Sequence, residues 1–272
     1  MRLIVCCLVL LCGVSANRLV AQQAKPDDVG DAQRWERIGR LGDATHALKN
    51  RLPSFTCREE IESTEYSANK QGYHLLWNRQ IMARFRVVRE GEGMASTLHD
   101  HREIEKIDGH AVRDGYYPAP LRATGYLGYV LTFFDRGNHR CYQLVADKST
   151  ASTEQVTIRK RDNADKDCEY VRDGTLVHAS FDSSDFTLRH FDENLPEIAG
   201  LGKSALNFSL DFAHTRIGGE LYWLPQRFAV TVRAIDQKRE SHWRSSYSSC
   251  NLFTSTARIL DDVPDAPDSS HD

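Results

Sequence analysis

The feature that most constrains the fold of this chain is an alternation of apolar and polar residues along many short segments. Leu206, Phe208, Leu210 and Phe212 are separated by single polar residues. Successive side chains of a β-strand point to opposite faces of a sheet, so this alternation predicts a strand with one buried face. Gly218-Gly219 follows and predicts a hairpin turn. Similar runs elsewhere in the chain predict a meander of about ten strands.

The sequence also predicts two helices. Residues 31–51 carry apolar side chains at intervals that keep them near one helical face. A second, short helix is predicted over residues 125–136, where Tyr126, Tyr129 and Phe133 share a face. A large sheet needs cover for its apolar face. We therefore predict a mainly β (α+β) fold, in which a large curved antiparallel sheet or unclosed barrel wraps an N-terminal helix and a second short helix.

The first residues predict export from the cytoplasm. Met1-Arg2 precede an apolar stretch that runs to Val14 and ends at the small residues Ser15 and Ala16, which is typical of a cleavable secretory signal. A further cleavage site follows Ala21. We expect a signal peptide over residues 1–21, a single β-rich domain over residues 22–262 and a disordered tail over residues 263–272. The predicted location is periplasmic or secreted, with no transmembrane segment after signal removal.

Four cysteines lie outside the predicted signal: Cys57, Cys141, Cys168 and Cys250. In an exported chain an even number indicates disulfides, and four cysteines allow three pairings. Cys141 and Cys168 border the same pair of predicted strands, which favours a bond between them and leaves Cys57 for Cys250. Their spacings match no zinc signature.

Charge and motifs exclude several function classes. The formal net charge is -3, and basic residues are scattered among acidic ones. The sequence therefore lacks the cluster of basic residues that is typical of nucleic-acid-binding proteins. Gly202-Lys203-Ser204 lacks the glycine that a phosphate-binding loop requires five residues earlier, where Glu197 stands. No serine-hydrolase elbow occurs. We expect no cofactor and favour a non-enzymatic protein.

One segment carries a candidate metal site. His99, His101 and Glu105 alternate along a predicted strand, so their side chains share one face with Glu103. Imidazole and carboxylate are common ligands of transition metals. The spacing resembles the first metal-binding motif of cupins, although the closing glycine and the second motif are missing. The alternative is a solvated polar face, which antiparallel sheets normally have.

Aromatic residues around the second predicted helix are candidates for ligand binding. Tyr116 and Tyr117 precede the helix, and Tyr126, Tyr129 and Phe133 lie on it. A mobile aromatic loop over a sheet would gate an apolar pocket of the kind that holds small ligands. The alternative is that these side chains belong to the core, where aromatic residues contribute most of their burial.

The chain resembles a group of uncharacterised exported bacterial proteins, on the stretches Leu52–Cys57, Ile107–Val112, Ile217–Pro225 and Tyr247–Ile259. The architecture is similar to that of the outer-membrane lipoprotein carriers, in which an unclosed barrel curls over helices and holds acyl chains. This chain departs from them in its four cysteines and in a longer run of strands and loops in the middle. The likeness is one of fold, which does not fix a function.

Three functional hypotheses follow. The first is a protein that binds an apolar ligand in the periplasm or envelope, namely an acyl chain, a lipoprotein or a hydrophobic protein segment. The second is a structural or envelope interaction module whose core is filled and has no cavity. The third is a metal-dependent, cupin-like enzyme that uses His99, His101 and Glu105.

Overall fold

The computed structural model describes residues 26–91, 97–112, 125–162, 164, 168, 173–196 and 204–253. The predicted signal peptide, the predicted tail, Tyr116 and Tyr117 lie outside these residues. Two α-helices, α1 (Pro26–Arg51) and α2 (Tyr126–Phe133), are followed by a short 3-10 helix at Arg136–Cys141. Eleven strands form the rest: β1 Phe55–Asn69, β2 Gly72–Glu90, β3 Thr97–Ile107, β4 His110–Ala111, β5 Tyr142–Ser149, β6 Thr153–Lys160, β7 Leu176–Asp182, β8 Leu188–Leu195, β9 Ser204–Ile217, β10 Glu220–Ala234 and β11 Arg239–Leu252.

The strands form one antiparallel sheet in the order β4-β3-β2-β1-β11-β10-β9-β8-β7-β6-β5. The predicted fold class is confirmed: the fold is mainly β, and the sheet is large and does not close. The prediction of a single meander is wrong, because β1 pairs with β11 and so joins two meanders. Alternation cannot show this pairing, since it connects strands from opposite ends of the domain.

The predicted hairpin turn is confirmed. Gly218 and Gly219 connect β9 to β10 with φ angles of 57° and 93°, a left-handed backbone that glycine adopts without strain. Asp108 and Gly109 connect β3 to β4. Helix α1 extends back to Pro26, five residues before the predicted start, and a proline is well tolerated in the first turn of a helix.

The core lies on one face of the sheet, which we call the inner face. Buried side chains of α1 and α2, such as Ile38, Leu41 and Val130, join those of the strands in a single hydrophobic cluster. The opposite, outer face carries the polar members of the alternating pattern. Helices and sheet therefore share one core, and α2 packs against α1 and β3.

Two disulfides cross-link segments that are distant in the sequence. Cys57 of β1 is joined to Cys250 of β11, and Cys141 is joined to Cys168. This is the pairing that the sequence favoured. The first bond lies at the strand pair that connects the two meanders.

Candidate ligand-binding site

The predicted metal ligands lie together on the outer face of β3. His99 and His101 are exposed and Glu105 is half-buried, so the alternation places them as expected. His99 lies 3.5 Å from Glu90 and 2.9 Å from the Thr97 hydroxyl.

The carboxylates of this face contact arginines of the neighbouring strand β2. Arg84 Nη2 lies 2.5 Å from Glu105 Oε1, and Arg86 Nη2 lies 2.9 Å from Glu103 Oε2. In the part of the chain that the structure describes, no group of three or more His, Cys, Asp and Glu side chains is placed to hold a metal ion. The geometry of this surface is that of a polar sheet face with cross-strand ion pairs, which stabilise a fold only slightly.

Helix α2 carries the predicted ligand-binding aromatics into the core. Phe133 is buried and stacks on Tyr142 with ring centroids 5.4 Å apart. The Tyr126 ring lies 5.0 Å from both Phe208 and Phe228 of the inner face. These residues of α2 therefore pack directly against an aromatic wall of the sheet.

No residue of α2 is charged. The helix reads Tyr126-Leu127-Gly128-Tyr129-Val130-Leu131-Thr132-Phe133, and its Thr132 hydroxyl donates to the Gly128 carbonyl within the helix. A helix that is apolar on nearly every face is typically buried within the protein. Several residues of α2 are β-branched or aromatic, so the isolated segment has a low helix propensity. Packing against the rest of the protein must therefore stabilise the helix.

Two hydrogen bonds tie α2 and its N-cap residue to carboxylates of the sheet. The Gly125 N–H donates to Asp100 Oδ2 of β3 at 2.8 Å, and the Tyr129 hydroxyl donates to Glu193 Oε1 of β8 at 2.9 Å. Glu193 is buried. Gly125, the N-cap of α2, and Tyr129 of α2 thus each donate to one oxygen of these two carboxylates.

Beside Asp100, a buried ion pair crosses the inner face. Arg102 of β3 and Glu59 of β1 are 4% and 0% exposed. Arg102 Nε and Nη2 donate to the two oxygens of Glu59 at 2.5 and 2.8 Å, a bidentate geometry. Ala83 of β2 lies opposite Glu59 in the register between them, and its small side chain leaves room for the pair.

Two aromatic side chains of β11 complete this cluster. The Arg102 guanidinium lies 5.3 Å from the ring centre of Trp243, within the range of a cation–π contact. Burial raises the pKa of Tyr247 well above its usual value, and the Glu59 charge raises it further. Burial lowers the pKa of Arg102, but Glu59 outweighs it and the net shift is upward. Arg102 therefore stays protonated and Tyr247 stays neutral.

Asp100 lines a small cavity between this cluster and α2. The cavity measures about 10 Å³, roughly the room that one water molecule needs. Its walls are Phe85, Asp100, Arg102, Tyr126, Leu127, Leu210, Pro225, Phe228 and Tyr247. Asp100 Oδ1 is buried and has no hydrogen-bond partner among the described residues. Burial raises the pKa of Asp100, and the Gly125 N–H and Arg102 offset this rise only in part.

Sequence reasoning missed Glu59, Asp100, Arg102 and Tyr247 as site residues. A signal for Glu59 was available, because it shares its alternation with the apolar residues Cys57 and Ile61 and so had to point inward. Its partner Arg102 could not be identified from the sequence, because β1 and β3 are separated by β2 in the sheet.

Comparisons with known proteins find likeness in fold alone. No family model matches the chain, and no curated protein matches it. A crystal structure of a LolA superfamily protein from Nitrosomonas europaea is similar at 14% identity and a TM-score of 0.30, over 79% of this chain and 92% of that chain. A structure of lipovitellin concerned with lipid–protein interactions aligns at 8% identity and a TM-score of 0.24, over 76% of this chain and 26% of lipovitellin.

Among the helices that the structure describes, none is long and apolar enough to cross a membrane.

Proposed function

We propose that the protein binds the apolar chain of a small ligand, such as an acyl chain, on the inner face of the sheet, in the place that α2 occupies. The observation that carries this proposal is the character of α2. It is an uncharged helix, about 12 Å long, laid along a wall of aromatic side chains that includes Phe191, Phe208 and Phe228.

Binding in this place requires α2 to move. The cavity that the described residues line beside α2 has room for about one water, so a ligand on this wall and α2 exclude each other. The helix is short, and its ends lead into Gly125 and the 3-10 helix. A protein with a weakly populated open state binds its ligand by shifting the population toward that state. The displaced apolar residues of α2 then need cover elsewhere, which limits the affinity.

The two disulfides support the predicted compartment. Disulfides persist in oxidising compartments such as the bacterial periplasm and the extracellular space. We therefore place the proposed binding activity in the periplasm or outside the cell, with an apolar ligand or an envelope protein as partner. Native mass spectrometry of protein purified from a bacterial envelope would identify a co-purified ligand.

The proposal is tested by combining probe binding with hydrogen exchange. The delipidated full chain is titrated with the fluorescent apolar probe N-phenyl-naphthylamine, and amide exchange is measured with and without the probe. We expect saturable binding at one site, with faster exchange for the α2 amides and unchanged exchange for β1 and β11. The exchange pattern is needed because a probe on an exposed surface would leave α2 protected.

Absence of saturable binding, or binding without any change at α2, contradicts the proposal. Those results favour the second hypothesis, a structural or envelope interaction module. The small volume of the cavity that the described residues line beside α2 is the specific observation in its favour, because protein interiors are close-packed and this space is filled by the chain's own side chains.

A further inference from the structure

We infer that the ligand of the proposed site carries a neutral hydrogen-bond-donating head, a hydroxyl or an amide, and that Asp100 accepts a hydrogen bond from this head. Long-chain alcohols and amides are thus the favoured ligand class, and chains that end in a carboxylate or phosphate are excluded. This inference rests on the proposed function and names the ligand chemistry of the same site.

The charges around the site argue against an anionic head. Arg102 is the cation at the cavity wall, and both of its bidentate hydrogen bonds go to Glu59. The pair is therefore neutral as a unit, and Asp100 adds a carboxylate next to it. An anionic head placed here would meet a like charge in a poorly solvated site, where repulsion is strong.

Helix α2 shows what kind of group the site accepts. It is an apolar body preceded by its N-cap residue Gly125, whose N–H donates to Asp100 Oδ2 at 2.8 Å. A ligand that displaces α2 removes this donor, and the half-buried carboxylate favours a ligand that supplies another donor. Asp100 Oδ1, which is buried without a hydrogen-bond partner among the described residues, offers a second acceptor for the same head.

A second carboxylate points to the same ligand class. Glu193 accepts a hydrogen bond from the Tyr129 hydroxyl of α2, so this wall also presents an acceptor to whatever replaces the helix. Asp100 and Glu193 belong to β3 and β8, which are strands of the sheet and not part of the helix that would be displaced. At the far end of α2, Phe133 packs on Tyr142 and Phe191, which suits the apolar end of a chain.

The test compares two ligands of equal chain length. Decanol and decanoate compete with N-phenyl-naphthylamine for the full chain at a pH of about 8, where decanoate is ionised. We expect decanol to displace the probe at a concentration at least about tenfold lower than the concentration of decanoate that is needed. A factor of ten corresponds to about 1.4 kcal/mol of repulsion. The variant Asp100→Asn should reduce this preference to about threefold or less, because it keeps an acceptor and removes the charge.

The control variant is Glu60→Gln, which removes a carboxylate from the exposed outer side of β1 and should keep the wild-type preference. Equal competition by both ligands in the wild-type protein overturns the inference and leaves the proposed function standing. A preference for decanol that Asp100→Asn leaves unchanged also overturns it. If the probe does not bind at all, the proposed function fails first.

Discussion

The buried pair between Glu59 and Arg102 gives the sharpest prediction for stability. Substituting Glu59 by Gln leaves the Arg102 charge buried without its partner. Removing one member of a buried ion pair costs about 3–5 kcal/mol. For a domain of this size, a loss of about 4 kcal/mol lowers the melting temperature by roughly 10 °C. The measurement is equilibrium unfolding in urea with both disulfides intact, followed by tryptophan fluorescence.

The same strand offers a matched control on its other face. Arg58 and Glu60 are about half-exposed and lie 3.0 Å apart, and such surface pairs contribute about 0–1 kcal/mol. Glu60→Gln should therefore change the free energy of unfolding by less than about 1 kcal/mol. The double variant Glu59→Leu with Arg102→Met should recover most of the stability, because an apolar pair of similar volume removes the desolvation cost. Equal losses for Glu59→Gln and Glu60→Gln would refute the reasoning.

Three further results are expected. In the chain-entropy model, Cys250→Ala costs about 5 kcal/mol and Cys168→Ala about 3.5 kcal/mol, since the bonded residues are 193 and 27 positions apart; urea unfolding compares them. Burial raises the pKa of Asp100 in the folded state. Ionisation of Asp100 therefore lowers the free energy of unfolding as the pH rises through this raised pKa. Asp100→Asn should thus raise the melting temperature near neutral pH, and the gain should shrink as the solution is acidified. The double variant His99→Ala with His101→Ala, on the outer face, should leave probe titration curves unchanged. If native mass spectrometry detects stoichiometric metal in the wild-type protein, this variant should lack it.

The strands were predictable because their side-chain period is a local property. Phe208, Leu210 and Phe212 alternate within β9 and are buried, as expected from their spacing. The pairing of β1 with β11 was not predictable from alternation, because register across the sheet depends on contacts between distant segments. The favoured disulfide between Cys57 and Cys250 was the one feature of the sequence that linked these two strands.

The candidate site was predictable only in its apolar half. The periodicity of Tyr126, Tyr129 and Phe133 shows that they share a helical face, but it cannot show which surface covers them. The polar half depends on Arg102 reaching over β2 to Glu59. That contact requires the strand order, the register and the small side chain of Ala83 together, and none of these follows from the residues of one strand.

Gly128 supplies a substitution that separates the two main hypotheses. A Cβ added there would lie 3.1 Å from the Leu98 carbonyl oxygen of β3, which is a tight contact. Gly128→Ala should therefore push α2 away from β3, although alanine favours a helix by about 1 kcal/mol. If α2 covers a binding site, a larger open fraction raises the apparent affinity for N-phenyl-naphthylamine, and we expect a gain of about threefold or more.

The control for this substitution is Gly137→Ala in the 3-10 helix that follows α2. A Cβ at Gly137 meets no atom within 4 Å, so probe affinity should stay at the wild-type value. A filled core without a binding site predicts a different pattern, in which Gly128→Ala lowers stability and no probe binds to either variant. Destabilisation by Gly128→Ala alone would not distinguish the hypotheses, because both expect α2 to be part of the core. The change in affinity distinguishes them, since only a helix that competes with a ligand can raise binding when it is loosened.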